Sequence, residues 1–401
     1  EDTDDDIFQQ TSGDQSPFDR NLPTTHEYLG KLENISGYTI FDHGQIIELD
    51  AMCTKTMVFP GFTLPLVIQN SFSWEKQLKD GFIFVLTCYN NNKTSIFEYG
   101  VVMEVYETND KNAESVHLKA KGRQRCRILP PIEVPVASMH RMRRVKVQII
   151  SDYNLYSPLI STQLNNLKRR ATIEWKPENR KLRKYHAAQF NQASFVYDMY
   201  EEEYYKEKIL DIIYQYFIKD NIPRDPLTLS YWFAQNFQLT HEERLNILAA
   251  GTTLERLRLE LSFLRLKRNI CCSRCGSYIS ELDKVFAMSK DGVQSNYCNP
   301  FGIVYETLTV TECENVSLEG YPSKKFTWFP GYYWTILKCK TCTGHLGWRF
   351  KSDKLSPPTF YGLGRSCVEI KIIDDMYVKK VFDELKAELE NHNFSSLYIE
   401  T

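Results

Sequence analysis

Two pairs of cysteines in the C-terminal third of this 401-residue sequence have the spacing of metal ligands. Cys339 and Cys342 form a C-x-x-C motif, and Cys272 and Cys275 form another, with sixty-three residues between the pairs. At this spacing one turn of the chain directs two thiolates at one metal ion. Four thiolates suit zinc, which binds soft ligands in a tetrahedron. Because no coordination position stays open, we predict one structural zinc ion that joins the two ends of a small domain.

Other interpretations of these cysteines stay open at this point. Cys271 precedes Cys272 and can replace it, although it would leave a three-residue gap before Cys275. The pairs can also be reduced core cysteines or disulfides. Three of the eleven cysteines precede residue 270 and eight follow it. Their number is odd, and their spacing is not that of a disulfide framework. This distribution favours a reducing compartment, so we expect a cytoplasmic and nuclear protein.

Three of the six tryptophans, Trp328, Trp334 and Trp348, lie within twenty-one residues around the second cysteine pair. Such a cluster forms either the core of a small sheet or the wall of a pocket for a small ring. An aromatic pocket can also hold a quaternary ammonium group by cation–π attraction. The charge of Lys325 disfavours a cationic guest, whereas that of Glu306 favours one. His345 precedes Trp348 and is interpreted as a structural residue, because four cysteines already fill the metal.

Composition limits the remaining possibilities. The net charge is −2, 25% of the residues are charged and 42% are hydrophobic, which excludes a disordered chain or a nucleic-acid binder along its whole length. No run of eighteen apolar residues occurs, so we predict no membrane-spanning helix. The length predicts two or three domains. The sequence begins at Glu1 rather than methionine, which indicates that preceding residues have been removed.

The first half of the chain is rich in short β runs separated by turn residues. These runs are Gln45–Leu49, Met57–Phe59, Phe82–Cys88, Phe97–Tyr106, Val116–Leu129 and Val145–Ile150. The segment PGFTLPL, Pro60–Leu66, has prolines at both ends and is typical of an edge strand or a bend. We therefore predict a compact antiparallel β domain. Residues 1–21 carry seven acidic residues and one basic residue, which predicts disorder.

The middle of the chain changes character. Residues 168–184 hold eight Lys or Arg and two Glu, which indicates a solvated linker or, second, a patch for an acidic partner. Residues 195–217 have a helical pattern with more tyrosines than one core face needs, which predicts that some of them contact another protein. Thr240 and Glu243 form a capping box that begins a helix. Leucines on both sides of Gly251 predict two helices or one interrupted helix, and residues 374–390 predict a short amphipathic helix.

Residues 239–261, LTHEERLNILAAGTTLERLRLEL, follow the β-rich half and resemble the substrate-recognition N-terminal domain of Lon proteases. No G-x-x-x-x-G-K-[ST] phosphate loop occurs, so no ATPase motor accompanies it. Together with the cysteine pairs, the chain from about Leu22 to Arg365 resembles the cereblon family, substrate receptors of cullin-RING ubiquitin ligases. Its motifs are LPTTHEYLG, PGFTLPL, AKGRQR, YETLTV, WFPGYYW and HLGW. Divergence from the vertebrate proteins at residues 31–56, 151–190 and beyond 366 is expected of an invertebrate orthologue.

The resemblance implies a multidomain α+β fold, with a Lon N-terminal-like β domain and helical bundle followed by a zinc-bound β-tent, the CULT or thalidomide-binding domain. The implied segments are a disordered tail 1–21, a Lon-like β subdomain 22–150, a basic linker and helical adaptor-binding region 151–240, Lon-like helices 241–266, the β-tent 267–374 and a C-terminal tail 375–401. It also implies partners: a β-propeller ligase adaptor docked at roughly 190–240, degron-bearing substrate proteins and cyclic-imide small molecules, with neither nucleic acid nor membrane.

In the family, a pocket in the β-tent accepts a cyclic imide, as found in glutarimide drugs and cyclised C-terminal degrons. The resemblance assigns its walls to Trp328, Trp334 and Trp348 and its floor to Phe350. The full set of ligand-binding residues that it implies is Asn299, Pro300, Phe326, Thr327, Trp328, Trp334, Trp348 and Phe350. The alternative is that the three tryptophans are core residues of a small sheet and form no pocket.

This sequence departs from the vertebrate pattern at the pocket lip. Lys325, Phe326 and Thr327 stand where those proteins have Glu-His-Ser, so a histidine hydrogen bond is lost. Phe301 and Tyr305 also replace histidines. We expect imides to bind through backbone groups at Phe326 and Trp328, with altered affinity.

Two further functions compete with a non-catalytic receptor. The β-tent resembles methionine sulfoxide reductases, which pair a structural zinc with a catalytic thiol, and Cys298, Cys313 and Cys367 are spare thiols. A low-pKa cysteine at the pocket would favour that enzyme. Nucleic-acid binding through the zinc domain is third, because residues 272–342 contain no basic stripe.

Overall fold

The structure is a computed structural model of the chain. It describes residues 16–34, 39–69, 82–89, 96–109, 115–130, 143–152, 196, 198–214 and 222–373. Several sequence predictions lie outside these residues: the disorder of residues 1–15, the basic stretch 168–184 and the amphipathic helix 374–390. Among the described helices, none combines the length and apolar character needed to cross a membrane.

The N-terminal domain is a β barrel with two flanking strands. Its strands in the described ranges are β2 (Glu33–Asn34), β3 (Ile46–Thr54), β4 (Thr63–Gln69), β5 (Ile83–Tyr89), β6 (Ile96–Thr108), β7 (Ser115–Ile128) and β8 (Arg143–Ile150). The ring runs β3, β5, β6, β7, β8 and back to β3, while β2 flanks β6 and β4 flanks β7. Closing the ring pairs the edges of five long strands and shields their apolar side chains.

The observed barrel corrects two predictions. Met57–Phe59 was expected to be a strand but is irregular chain, although its side chains are buried in the core. An apolar run of this length fills a core with or without a strand ladder, so its composition does not distinguish the two. The domain is also not wholly antiparallel, because β3 and β5 pair in parallel. The edge prediction for Pro60–Leu66 is confirmed, since β4 contains Pro65 and ends the strand order.

Helices cover the barrel and lead into the second domain. Those described beyond residue 200 are α2 (Glu202–Ile213), α3 (Pro226–Asn236), α4 (His241–Ala249) and α5 (Thr253–Phe263). The capping box at Thr240 and Glu243 is confirmed at the start of α4. Around Gly251 there are two helices rather than one, because Thr252 caps α5 by accepting a hydrogen bond from the Glu255 N–H.

The C-terminal domain contains two sheets. The smaller has the order β10 (Tyr278–Glu281), β9 (Arg268–Cys272), β18 (Val368–Ile372). The larger has the order β11 (Gln294–Cys298), β12 (Val304–Val310), β17 (Thr359–Gly364), β15 (His345–Lys351), β14 (Tyr333–Cys339), β13 (Val316–Ser323). One face of the larger sheet carries an aromatic cluster, which includes Trp328, Phe329, Phe350 and Phe360.

The N-terminal residues join this aromatic cluster, so the prediction of disorder is wrong for residues 16–21. Strand β1 (Ser16–Pro17) pairs with β16 (Leu355–Ser356). The Phe18 side chain is buried, and its ring lies 5.4 Å from that of Tyr332 in an edge-to-face arrangement. The acid-rich composition predicted that this segment would be solvated. Burial of the Phe18 ring and pairing of the two residues of β1 instead hold it against the C-terminal domain. Helix α1 (Leu22–Thr25) follows it.

Candidate metal centre and aromatic cage

The four predicted cysteines meet in space. Cys272 ends β9, Cys339 ends β14, and Cys275 and Cys342 lie in the turns that follow. All four sulfur atoms lie within 4.8 Å of one another, and the Sγ–Sγ distance is 3.6 Å for both Cys272–Cys342 and Cys275–Cys339. A tetrahedron with Zn–S bonds of about 2.3 Å has sulfur–sulfur edges of roughly 3.8 Å. The cluster therefore has the size and donor set of a structural zinc site.

Local chain geometry turns each pair of thiols inward. Gly276 follows the first pair with φ of +72°, and Thr343 follows the second with φ of +56°. Backbone hydrogen bonds close both turns: the Gly276 N–H donates to the Cys272 C=O at 2.8 Å, and the Thr343 N–H donates to the Cys339 C=O at 2.9 Å. Cys272, which the sequence analysis preferred, belongs to the cluster, and Cys271 lies outside it. Adjacent strand residues point to opposite faces, so only one of the two reaches the metal position.

Three aromatic rings form what we call the aromatic cage: Tyr305 on β12, Trp348 on β15, and Trp328 in the loop between β13 and β14. The Trp328 and Trp348 ring centroids are 4.7 Å apart with the planes at 74°, and Tyr305 meets Trp348 edge-to-face at 4.9 Å. Tyr297 stacks on Trp328 at 5.0 Å. Two of the predicted pocket walls, Trp328 and Trp348, are therefore in contact, and Tyr297 and Tyr305 pack against them.

Trp334 has a different place from the other two tryptophans. Its indole N–H donates to the Lys325 C=O at 2.8 Å, so it holds the loop that precedes Trp328. In the strand register Trp334 is opposite Phe350, which is in turn opposite Phe360, so the three share one sheet face. Phe350 is buried and stacks on Phe360 at 4.9 Å, which makes it a rigid support for the cage side of the sheet.

The loop residues at the lip of the cage have backbone groups available for a ligand. Phe326 has φ of +54° and is 61% exposed, an unusual position for a large apolar residue. Within the described part of the chain, its C=O and the N–H of Trp328 make no hydrogen bonds. The Thr327 hydroxyl donates to the Phe329 C=O at 3.2 Å and fixes the turn. The lip therefore offers one acceptor and one donor beside aromatic faces.

The predicted closing loop, residues 299–303, connects β11 to β12 beside the cage. The Asn299 side-chain oxygen accepts hydrogen bonds from the N–H groups of Phe301 and Ile303, at 3.0 and 2.8 Å. Asn299 therefore shapes its own loop. Pro300 is exposed, and Phe301 is 77% exposed.

Glu306 does not supply the negative charge that a cationic guest would need. It lies on the opposite face of β12 from Tyr305, is buried, and accepts a hydrogen bond from Arg244 at 2.6 Å. The argument for a quaternary ammonium ligand from Glu306 is therefore wrong, because alternation along the strand turns this carboxylate away from the cage. His345 meets Trp348 edge-to-face at 5.0 Å and lies outside the sulfur cluster, and burial lowers its pKa.

The spare thiols have environments that disfavour a thiolate. Burial raises the pKa of Cys298 to about 12, and burial also raises the pKa of Cys313 and of Cys367. A nucleophilic cysteine needs a lowered pKa, from a nearby cation or a helix N-terminus. These three residues therefore lack the property that the reductase alternative requires.

Sequence reasoning missed the role of Tyr297 and noted Tyr305 only as a replacement for histidine. The two residues are directly opposite each other in the β11–β12 register. Their alternation with polar residues along both strands places them on one face. That pattern was visible in the sequence, but it became informative only with the pairing of the two strands.

Comparisons with known proteins agree with this architecture. The family profile described as the ATP-dependent protease La (LON) substrate-binding domain matches residues 48–265, so the barrel and helices form a Lon-type substrate-binding domain. The chain is similar to Protein cereblon of Gallus gallus, with 31% identity over 380 residues that cover 88% of this chain and 84% of the relative. Protein cereblon of Danio rerio has 31% identity, with 88% and 87% covered. For Drosophila virilis the identity is 32%, with 88% and 57% covered.

The chain thus combines a Lon-type substrate-binding domain with a β domain that contains a four-thiol cluster. The chain belongs to the cereblon family.

Proposed function

We propose that this protein is the substrate-recognition subunit of a cullin-RING ubiquitin ligase, and that its aromatic cage binds cyclic imides. In this role it binds degron-bearing proteins and glutarimide compounds, and ubiquitin transfer occurs on other subunits. The observation that carries the proposal is the 4.7 Å contact between Trp328 and Trp348 beside the exposed loop at Phe326. A small flat ring can pack against the corner that two such perpendicular faces form.

The chemistry of the cage suits a neutral imide. Aromatic faces bury the ring methylenes, and each buried CH₂ contributes about 0.8 kcal/mol. The imide N–H can donate to the Phe326 C=O, and an imide C=O can accept from the Trp328 N–H, because both groups are unpaired in the described structure. Hydrogen-bond pairing fixes the orientation of the ring, and apolar contact supplies most of the affinity.

The four cysteines would hold one zinc ion with a structural role. Cys339 ends β14, the strand that carries Trp334, and the turn after it leads into β15, which carries Trp348. A metal at this point therefore fixes β14, whose Trp334 holds the lip loop, relative to β15, which bears the cage residue Trp348. None of the eleven cysteines forms a disulfide, which supports residence in the cytoplasm and nucleus.

A glutarimide titration followed by tryptophan fluorescence tests the proposal. We expect saturable quenching in the zinc-loaded protein and its loss in Trp348→Ala, because that substitution removes one of two adjacent walls. The expected loss is at least about thirtyfold in affinity, which corresponds to roughly 2 kcal/mol. Tyr321→Ala is the control, since Tyr321 is 95% exposed on the same domain. Unchanged binding by a folded Trp348→Ala protein would show that the cage is not the ligand site.

We propose an adaptor-binding surface that is narrower than the predicted range 190–240. Helix α3 buries its apolar residues, including Leu229, Trp232 and Phe233, in the hydrophobic core. Met199 and Tyr200, just before α2, are 40% and 53% exposed. Partially exposed apolar and tyrosine side chains of this kind are enriched at protein interfaces. We place the adaptor contact at these residues rather than on α3.

A double variant in which both Met199 and Tyr200 are changed to aspartate should capture the β-propeller adaptor more than about tenfold less strongly. The reason is that charges buried in an apolar interface oppose binding. Pull-down with purified adaptor measures the effect, and glutarimide binding by the same variant serves as the folding control. Full adaptor capture by this double variant would place the contact elsewhere.

A further inference from the structure

The strand that carries the cage wall Tyr305 is attached from behind to the Lon-type domain. Along β12, Tyr305 points to the cage face, and Glu306 points to the opposite face. That opposite face meets the N-terminal domain: the Asn296 side-chain amide donates to the Thr63 C=O at 3.2 Å. The cage and the domain interface are therefore two sides of one strand.

Glu306 is held there by a buried ion pair. Arg244 Nη2 lies 2.6 Å from Glu306 Oε1, and the two side chains are 3% and 4% exposed. The Gln294 side-chain amide donates to the same oxygen at 2.5 Å. A carboxylate that is removed from water and bound by two donors has little freedom to move.

Arg244 is itself fixed to the N-terminal domain. It belongs to α4, donates to the Met57 C=O at 3.1 Å and lies over the Phe59 ring at 5.5 Å. The ion pair thus connects the barrel core, through one guanidinium and one carboxylate, to the residue next to Tyr305. The Lys338–Glu319 pair of the same domain is exposed instead, with side chains 31% and 52% accessible.

We propose that Glu306 is a positioning residue for the ligand site: its ion pair with Arg244 sets the place of Tyr305 against Trp348 and so couples the cage to the Lon-type domain. The expected change in glutarimide affinity rests on the proposed function, that the cage binds cyclic imides. Neutralising Glu306 frees β12 to shift, which moves the Tyr305 ring away from Trp348. The ligand site then loses a wall without any change in a residue that lines it.

The test compares Glu306→Gln with Glu319→Gln, which removes the exposed carboxylate near Lys338. We expect Glu306→Gln to weaken glutarimide binding by about tenfold, a usual size for coupling between two sites, and Glu319→Gln to leave it unchanged. In a Tyr305→Ala background, Glu306→Gln should have no further effect, because the wall that it positions is absent. Equal losses with and without Tyr305 would show a general structural effect and would overturn the proposal.

A second measurement needs no ligand. The Trp348 indole resonance should be shifted by the ring current of Tyr305, whose centroid lies 4.9 Å away. It should move in Glu306→Gln and stay in place in Glu319→Gln, with zinc content and thermal unfolding recorded for both. An unmoved Trp348 resonance in folded Glu306→Gln would contradict the positioning role. Failure of the wild type to bind glutarimide, by contrast, would contradict the proposed function alone.

Discussion

Replacing Cys339 with serine is expected to release the metal and unfold the C-terminal domain. The sulfur atoms of the two cysteine pairs come from turns that are far apart in sequence, and Cys339 approaches Cys275 at 3.6 Å. A structural zinc site contributes apparent binding free energy of about 10 to 16 kcal/mol, most of which is folding free energy. Release of the metal therefore removes a free energy comparable to the total stability of a typical domain, about 5 to 15 kcal/mol.

Zinc content by elemental analysis and cooperative unfolding by near-ultraviolet circular dichroism measure this effect. Cys313→Ser is the matched control, because Cys313 lies in the same domain and outside the sulfur cluster. The control should keep one zinc ion per chain. If the Cys339→Ser protein also kept one zinc ion and unfolded at the wild-type temperature, the four-cysteine site would be wrong.

Replacing Arg268 with alanine is expected to be the most destabilising change at the junction of the two domains. Arg268 begins β9 and forms two hydrogen bonds of 2.7 Å with Glu243, one to each carboxylate oxygen. The two side chains are 1% and 2% exposed. Without the guanidinium, a buried carboxylate is left uncompensated, which costs about 3 to 5 kcal/mol of unfolding free energy.

Urea unfolding of Arg268→Ala measures this loss, and Lys338→Ala is the control. Lys338 pairs with Glu319 at 2.5 Å, but the side chains are 31% and 52% exposed, so its removal should cost less than about 1 kcal/mol. Because Glu243 also closes the capping box of α4, the effect should extend to that helix. Equal destabilisation by the two variants would mean that burial does not govern the strength of these pairs.

Short-range patterns were sufficient to predict several features. The capping box at Thr240 and Glu243 is confirmed because its donors and acceptors lie within one turn of chain. Most of the predicted β runs correspond to strands, since alternation is a local signal. Met57–Phe59 is the exception, because burial and strand pairing are separate properties and only pairing makes a strand. The order at Phe18 also depends on a distant partner, the aromatic cluster around Tyr332.

For the candidate site, too, the sequence predicted some features, and others depended on the tertiary structure. The C-x-x-C spacing identified the four thiols that meet, because each turn positions its own pair and tetrahedral coordination accounts for four ligands. The sequence alone also identified two of the three cage rings, Trp328 and Trp348. Tertiary structure decided which rings meet: Tyr305 joins Trp328 and Trp348, Trp334 holds the lip, and Glu306 turns to the domain interface. The reason is strand register, which assigns each residue to a face only after strands distant in sequence have paired.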